Sequence, residues 1–192
     1  MARVKDCLQG EWLADVRDQA TLQAALSACQ PQVIFHLAAQ ALVSEGYQDP
    51  LGTFSTNVMG VANLLEASRN QPSVAAVVVV TSDKCYLNRE WLWGYREDEA
   101  LGGKDPYSAS KAAAEIVAAC WRQSFAGPAI ATARAGNVIG GGDWARDRIV
   151  PDAVRAFAKN EPLHLRRPAA VRPWPHVLEP ISGYMQLAQS CL

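Results

Sequence analysis

Residues 75–84 read Ala-Ala-Val-Val-Val-Val-Thr-Ser-Asp-Lys, an unbroken apolar and largely β-branched run that abruptly turns polar. A run this short and this apolar reads as a strand buried on both faces of a parallel sheet. Open α/β sheets bind ligands in the crevice outside the carboxyl ends of their strands. Ser82, Asp83 and Lys84 would therefore arrive together at the mouth of a site, as a hydroxyl, an acid and an amine suited to proton transfer. A capped strand running into a polar turn leaves the same pattern, so the triplet needs support from elsewhere in the chain.

The segments on either side alternate in the same sense. Asp18 can cap a helix running to about Cys29, with Pro31 as its stop. Residues 32–37 read as the next buried strand, ending in His36-Leu37-Ala38-Ala39-Gln40, whose small residues let the backbone approach a flat ligand. His36 itself is expected to be a satisfied structural histidine. Pro50 precedes a helix over 51–69, with Val58, Val61, Leu64 and Leu65 on the face toward the sheet. Asn57 in that face is either an exposed helix position or bonded to the backbone of a neighbouring strand. Residues 88–97 form a loop too long and too aromatic for a plain linker. Asp105 and Pro106 start a helix reaching about Phe125, residues 129–135 are a strand, and 136–144 are the glycine-rich loop at its end. A helix over 149–159, a short strand over 162–165, a basic proline-rich stretch over 166–175 and a helix from about Glu179 follow. Such alternation is the signature of βαβ units with right-handed crossovers and a parallel sheet.

Bulk properties narrow the partners. A net charge of −1 over 192 residues gives no field to attract nucleic acid or an anionic membrane. No apolar run approaches the roughly 20 residues of a bilayer span, and a cytoplasmic location is the default expectation. Cys7, Cys29, Cys85, Cys120 and Cys191 lack Cys-x-x-Cys spacing, so neither a disulfide framework nor a zinc site is indicated, and no metal is expected. They are expected to be reduced and mostly core-facing.

Residues four apart on a helix share a face, so the Lys111 ammonium can lie close to the Tyr107 phenol or to a ligand beside it. A free tyrosine titrates near about 10, and a neighbouring cation favours the phenolate that could act as a base. A Tyr and a Lys opening an amphipathic helix are common on surfaces. With Ser82 at a strand end upstream, the pair becomes the Ser, Tyr, Lys arrangement of alcohol oxidation by a nicotinamide.

Several motifs carry a family resemblance: Ala14-Asp15-Val16-Arg17-Asp18, His36-Leu37-Ala38-Ala39-Gln40, Thr56-Asn57-Val58-Met59-Gly60, Thr81-Ser82-Asp83-Lys84-Cys85-Tyr86 and Trp93-Gly94-Tyr95-Arg96-Glu97. Tyr107 to Lys111, residues 133–144 and residues 172–180 continue them. On these the chain resembles the extended short-chain dehydrogenase/reductases, and within them the dehydratases that act on CDP-glucose. The Tyr/Lys pair marks the superfamily; Ser82-Asp83-Lys84, Gly140-Gly141-Gly142-Asp143-Trp144 and Arg172-Pro173-Trp174 mark the branch. The resemblance implies an α/β fold, an incomplete Rossmann-like parallel sheet with helices on both faces plus part of a smaller substrate lobe. The division expected is 1–147 for the partial NAD-binding domain and 148–192 for the partial substrate lobe with a return helix.

The same resemblance implies NAD as cofactor and CDP-glucose as substrate. Tyr107 would take the C4 hydroxyl proton, Ser82 would hydrogen-bond that hydroxyl and Lys111 would hold the nicotinamide ribose. Lys84 would be the base at C5 and Asp83 the acid at the C6 hydroxyl, giving a 4-keto-6-deoxy sugar nucleotide. Lys84 must then be neutral and Asp83 protonated; Lys111 and a cationic nicotinamide push the lysine in that direction and oppose protonation of the acid. Related dTDP-glucose enzymes usually carry Glu at the base position, so Lys84 points to the CDP-sugar branch. Asp15 and Val16 match the adenine-meeting positions, and Leu37, Ala38, Ala39 and Gln40, with Asn57, the dinucleotide lining. Arg172 matches the diphosphate arginine, Asn137 an amide near the same group and Arg148 a further candidate, whereas Arg146, Arg166 and Arg167 read as surface charges. A homodimer is implied, with helices 51–69 and 106–125 forming a four-helix bundle across a two-fold axis.

Two departures stand out. Nothing before Asp15 matches the glycine-rich strand-turn-helix that opens family members, and the family continues well past Leu192, so the chain resembles an internal portion. NAD affinity and turnover of this polypeptide alone are accordingly expected to be poor. At Ala41 and Ser44-Glu45 the family usually shows a proline and basic residues. Another nucleotide-sugar dehydratase or epimerase, on dTDP- or UDP-glucose, and a non-catalytic dimerising remnant are the competing readings; product identity and a cofactor titration with light scattering separate them.

Overall fold

The computed structural model describes residues 7–192; the first part of the opening segment, residues 1–6, lies outside the described residues. In chain order the elements are α1 (Gln19–Cys29), β1 (Val33–His36), α2 (Val43–Gln48), α3 (Pro50–Phe54), a π-helical turn (Ser55–Met59), α4 (Gly60–Arg69) and β2 (Ala76–Val80). They continue as a single tight turn (Asp83–Cys85), α5 (Pro106–Ser124), β3 (Ala129–Ala133), α6 (Ile149–Ala158) and α7 (Leu178–Ser190).

The strands form one parallel sheet in the order β1, β2, β3, with Val78 opposite Phe35 on one side and Ala131 on the other. As the middle strand, β2 hides Ala76, Val77, Val78 and Val79 completely. Alternate side chains point to opposite faces, so an unbroken apolar run is what a strand covered on both sides requires. Val77 and Val79 enter the main core with Leu26 of α1, Val61, Leu64 and Leu65 of α4, and Ala114 and Ala118 of α5. Ile34 packs on that core too, whereas Val33 and Phe35 turn to the other face and share a groove with Leu178, Ile181 and Met185 of α7. Helices therefore cover both faces, as expected of a Rossmann-like α/β sheet.

Local chemistry sets the helix starts. The Asp18 carboxylate accepts from the Thr21 N–H at 3.1 Å, and α1 ends at Gln30 in the left-handed region just ahead of Pro31. The Asp49 carboxylate caps α3 from the Gly52 N–H at 2.8 Å, with Pro50 at the first helical position. The helix expected over 51–69 is continuous but carries the π turn in its middle, and Asn57 lies inside that turn, 1 % exposed. Its side chain accepts from the Gln40 N–H at 2.8 Å and donates to the Gln40 carbonyl at 3.0 Å and to the Ser110 hydroxyl at 2.8 Å. Asn57 is thus no exposed helix position, and the backbone it bonds is that of Gln40 in the segment after β1 rather than of the strand itself. The Asp105 carboxylate caps α5 from the Ser108 N–H at 2.9 Å.

Three expectations need correction. Residues 162–165 form no strand: Pro162 lacks a donor, and a strand needs a partner that the described residues do not supply. Of the five cysteines only Cys85, on the tight turn after β2, is buried; Cys7, Cys29 and Cys120 are exposed and Cys191 is half-buried, because the packing at each position rather than residue type decides which thiols face the core. His36 is buried, but its Nε2 has no hydrogen-bond partner among the described residues. Among those residues, too, no helix is long and apolar enough to cross a membrane, and no group of three or more His, Cys, Asp or Glu is placed to hold a metal.

Two predictions follow from packing and burial. A Cβ on Gly103 would lie 2.2 Å from the Ala109 nitrogen and 2.5 Å from the Ser108 carbonyl carbon, so Gly103→Ala must push the first turn of α5 aside. It is expected to lower stability in urea unfolding by about 1–3 kcal/mol. Burial, and then Lys111, pushes the His36 pKa from 6.5 down to about 4. Below 6.5 the unfolded chain takes up a proton that the folded ring refuses until about 4, so stability falls as pH drops through that window. The ceiling is about 3 kcal/mol, and His36→Asn should flatten the difference between urea midpoints at about pH 7 and about pH 5.

Candidate active site

Where β2 ends, the chain turns at once. Thr81 and Asp83 continue the pairing with β3 through N–H bonds to the Ala133 and Ala135 carbonyls at 2.8 and 3.1 Å. Ser82 then caps the tight turn, its Oγ accepting from the Lys84 N–H at 3.2 Å and donating to Asp83 Oδ1 at 3.1 Å. Hydroxyl, carboxyl and amine thus leave the carboxyl end of the central strand within three residues, which is where a parallel sheet opens its crevice.

Helix α5 brings the second half. Tyr107 is half-buried and Lys111 is 6 % exposed, one turn apart. The Lys111 ammonium donates to the Val80 carbonyl at 3.0 Å, and burial lowers its pKa to about 8, against the opposing pull of Cys85 and Glu115. The cation over the Tyr107 ring is Lys84, with Nζ 5.8 Å from the ring centroid. Burial raises the Tyr107 pKa, while a hydrogen bond with Ser82 and the charge of Arg148 pull it down. The spacing allowed Lys111 to lie close to the phenol or to a ligand beside it; in the structure its ammonium is bonded to the strand carbonyl, because a buried cation must find an acceptor.

The Lys84 pKa is lowered, first by burial; Arg172 and Arg148 push the same way, and Asp105 and Asp83 oppose. The direction matches the sequence expectation, but these two arginines are the cations at work. Arg148 precedes α6, reaches the Ala41 carbonyl at 3.4 Å, and keeps its buried Nε without a partner among the described residues. Arg172 is exposed and is delivered by a short parallel bridge: Ile139 N–H to the Pro175 carbonyl at 3.0 Å and Val177 N–H to the Ile139 carbonyl at 2.7 Å. Pro173 presses on Gly136, where an added Cβ would come within 2.5 Å. Asn137 lies half-buried in the loop so held.

The structure therefore brings together Ser82, Asp83, Lys84, Tyr107 and Lys111, with Arg148 and Arg172 near enough to act on Lys84. Leu37, Ala38, Ala39 and Gln40 follow β1, the neighbouring strand, at the same edge of the sheet; Leu37 and Ala38 are exposed and Gln40 is fixed by Asn57 and Thr53. Asp15 and Val16 stand apart, beside the start of α4. Val16 packs against Gly60, and Asp15 is exposed and paired with Arg17, which holds its carboxyl down at about 2. The groove between β1 and α7, about 640 Å³, is apolar and lies on a sheet face, away from the converging polar groups. Sequence reasoning missed the Glu115–Arg134 pair, at 3.0 Å, which sits behind the tight turn. The available signal was Glu115 one turn beyond Lys111 on the same face of α5.

The chain is 49% identical over 197 residues to a CDP-glucose 4,6-dehydratase of Salmonella typhimurium, covering 98% of this chain and 55% of that protein. It is 32% identical over 173 residues to a UDP-glucose 4-epimerase of Mycoplasma genitalium, covering 80% of this chain and 47% of that one. The chain spans about half the length of the curated relatives it matches. Among solved structures, a dTDP-glucose 4,6-dehydratase double mutant from Streptomyces venezuelae with NAD bound superposes with a TM-score of 0.79 at 26% identity, over 91% of this chain and 53% of that one. A UDP-glucose 4-epimerase from Thermotoga maritima gives 0.82 at 22% identity, over 92% and 58%. The model of the family described as GDP-mannose 4,6 dehydratase matches residues 12–191, and the chain belongs to that family.

Proposed function

We propose that this chain carries the reacting groups of an NAD-dependent dehydratase that converts CDP-glucose to CDP-4-keto-6-deoxyglucose, with residues 1–147 as the cofactor side and 148–192 as part of the substrate lobe. The observation that carries the reading is Lys84 Nζ 5.8 Å from the Tyr107 ring centroid, on the tight turn that Ser82 caps at the carboxyl end of β2. The relative at 49% identity supports CDP-glucose as the sugar nucleotide.

Exposed Leu37 and Ala38, beside half-buried Ala39, leave room for a flat ring against the strand end, and the phenol and ammonium of α5 stand one strand away, so these residues fit the cofactor. Leu37 to Gln40 would line it, Lys111 would hold its ribose, and Asp15 and Val16 would meet its adenine; Asn57 contributes by fixing the Gln40 backbone. When bound, NAD supplies the two-electron acceptor for C4 and later the donor to C6, and its cationic ring favours the Tyr107 phenolate.

The residues divide the proton work. Ser82 orients the C4 hydroxyl and Tyr107 takes its proton. The C4 ketone acidifies the C5 proton, and Lys84 removes it, for which burial already biases the amine toward its neutral form. Asp83 protonates the departing C6 hydroxyl. Arg172, Arg148 and Asn137 would meet the diphosphate, where a guanidinium fork suits the oxygens. Leu51, Met59 and Ile116 are more than half exposed on the helices flanking this site, which supports a homodimer through a four-helix bundle.

Three measurements test this reading. The protein, expressed in its genomic reading frame and given NAD, should form a 4-keto-6-deoxy product from CDP-glucose in preference to dTDP- or UDP-glucose. Lys84→Met should cut product formation by about 10²–10⁴-fold while reduced nicotinamide still accumulates from C4 oxidation. An unaltered rate, or equal turnover of dTDP-glucose, sinks the assignment. Light scattering should give twice the chain mass, and Leu51→Glu should return it to the monomer.

A further inference from the structure

Residues 86–102 join the two halves of the candidate site: Lys84 lies just before them and Tyr107 just after. The neck of this loop is closed by the Leu87 N–H on the Ala100 carbonyl and the Gly102 N–H on the Cys85 carbonyl, each 2.8 Å, at the Tyr86–Leu101 bridge. Beyond the neck there is no helix or strand, and a column of stacked groups orders the loop instead. The Arg134 guanidinium lies 4.7 Å over the Tyr86 ring, Tyr86 stacks on Tyr95 at 5.0 Å, Tyr95 meets Trp91 at 5.5 Å, and Arg89 covers Trp91 at 5.2 Å.

The inner end of the column is the Glu115 carboxylate, 5 % exposed. Arg134 donates to it from Nε and Nη2, each at 3.0 Å, the Thr132 hydroxyl donates at 2.9 Å, and the Thr81 hydroxyl makes a further short bond. Arg134 Nη1 also reaches the Glu97 carbonyl, on the returning limb of the loop, at 3.1 Å. Glu115 falls on the α5 face that carries Tyr107 and Lys111; Lys111 and Glu115 bond Val80 and Thr81, and Tyr107, one turn earlier, lies under Lys84 of the same segment. A carboxylate this fully bonded in a dry setting fixes the direction of its arginine, and the arginine fixes the first ring of the column.

We propose that Glu115 and Arg134 are positioning residues, which hold the neck of the 86–102 loop and thereby set the placement of Lys84 against Tyr107. The importance of that placement rests on the proposed dehydratase reading; the mechanical coupling does not. A purely stabilising ion pair would affect the whole fold alike, whereas positioning through the column also depends on Tyr95, a half-buried loop residue without contact to Glu115.

Cys85 reports on the neck directly. It is fully buried, and burial pushes its thiol up to about 12, while Cys29 and Cys120 are exposed and serve as internal references. Iodoacetamide labelling of the 192-residue chain, read by mass spectrometry, should leave Cys85 protected while Cys29 and Cys120 react. Tyr95→Ala and Glu115→Gln should each speed Cys85 labelling at least about tenfold, with the thermal midpoint of Tyr95→Ala unchanged. Arg134→Lys, which keeps the charge and loses the fork, should label at an intermediate rate. In the turnover assay Tyr95→Ala should lower kcat several-fold with little change in KM for the sugar nucleotide. Should Glu115→Gln fail to fold, Tyr95→Ala decides alone. Parent-like protection of Cys85 in Tyr95→Ala overturns the proposal whether or not the protein turns over, and a parent protein inactive on every nucleotide sugar defeats the dehydratase reading while the labelling still judges the coupling.

Discussion

The bond from the Lys111 ammonium to the Val80 carbonyl ties α5 to the last residue of the central strand, and the candidate site is laid out from that tie. One turn earlier on the helix, Tyr107 meets Ser82; one turn later, Glu115 meets Thr81. Val80 and Thr81 are thus held by two successive turns of the same helix, at Lys111 and Glu115. Of the three helix residues, Tyr107 is the half-buried one, while Lys111 and Glu115 are buried at 6 % and 5 % exposure. Desolvation of the ammonium opposes the tie, which shows in a pKa lowered to about 8, and the carbonyl offsets that cost by giving the charge an acceptor.

One physical cause works in opposite directions on the two groups that face each other. Burial disfavours charge, so it lowers the Lys84 pKa and raises that of Tyr107. Both are biased toward their neutral forms, with Lys84 Nζ 5.8 Å from the ring centroid. The amine is thereby prepared to accept a proton. The phenol requires added positive charge to give one up, and among the described residues Arg148 provides part of it.

Local features were readable from the residues. β2 was legible because four hidden apolar residues in a row need a strand covered on both faces, and two helix starts were legible because Asp18 and Asp105 cap through bonds to residues three positions on. What depended on distant partners was not. Residues 162–165 have strand-like composition, yet a strand exists only when another lies beside it. The Asn57 side chain bonds across to Gln40 and Ser110, Lys111 to Val80, and Glu115 to residues on two different strand ends, none of which spacing along one helix can reveal. His36 escaped for the same reason: the ring was expected to be satisfied, and only the packing around it shows that Nε2 is not.

The charges around Lys84 also explain why burial has to be the leading influence on it. Arg172 and Arg148 lower its pKa, while Asp83 and Asp105 raise it, so the four side chains pull in opposing directions and burial leads. On the proposed reading the two arginines meet a diphosphate, whose negative charge cancels the field they exert on the lysine. Arginine charge could then keep Lys84 neutral only before the substrate binds, and would lose its effect when the base is needed. Desolvation behaves differently, since a bound sugar excludes more water from the crevice and strengthens it. A lysine placed on a tight turn behind the strand end, shielded by the Tyr107 ring, keeps its bias in the complex. A carboxylate at the same position would be held protonated by that burial, and would serve as a base only where cations remain uncancelled beside it.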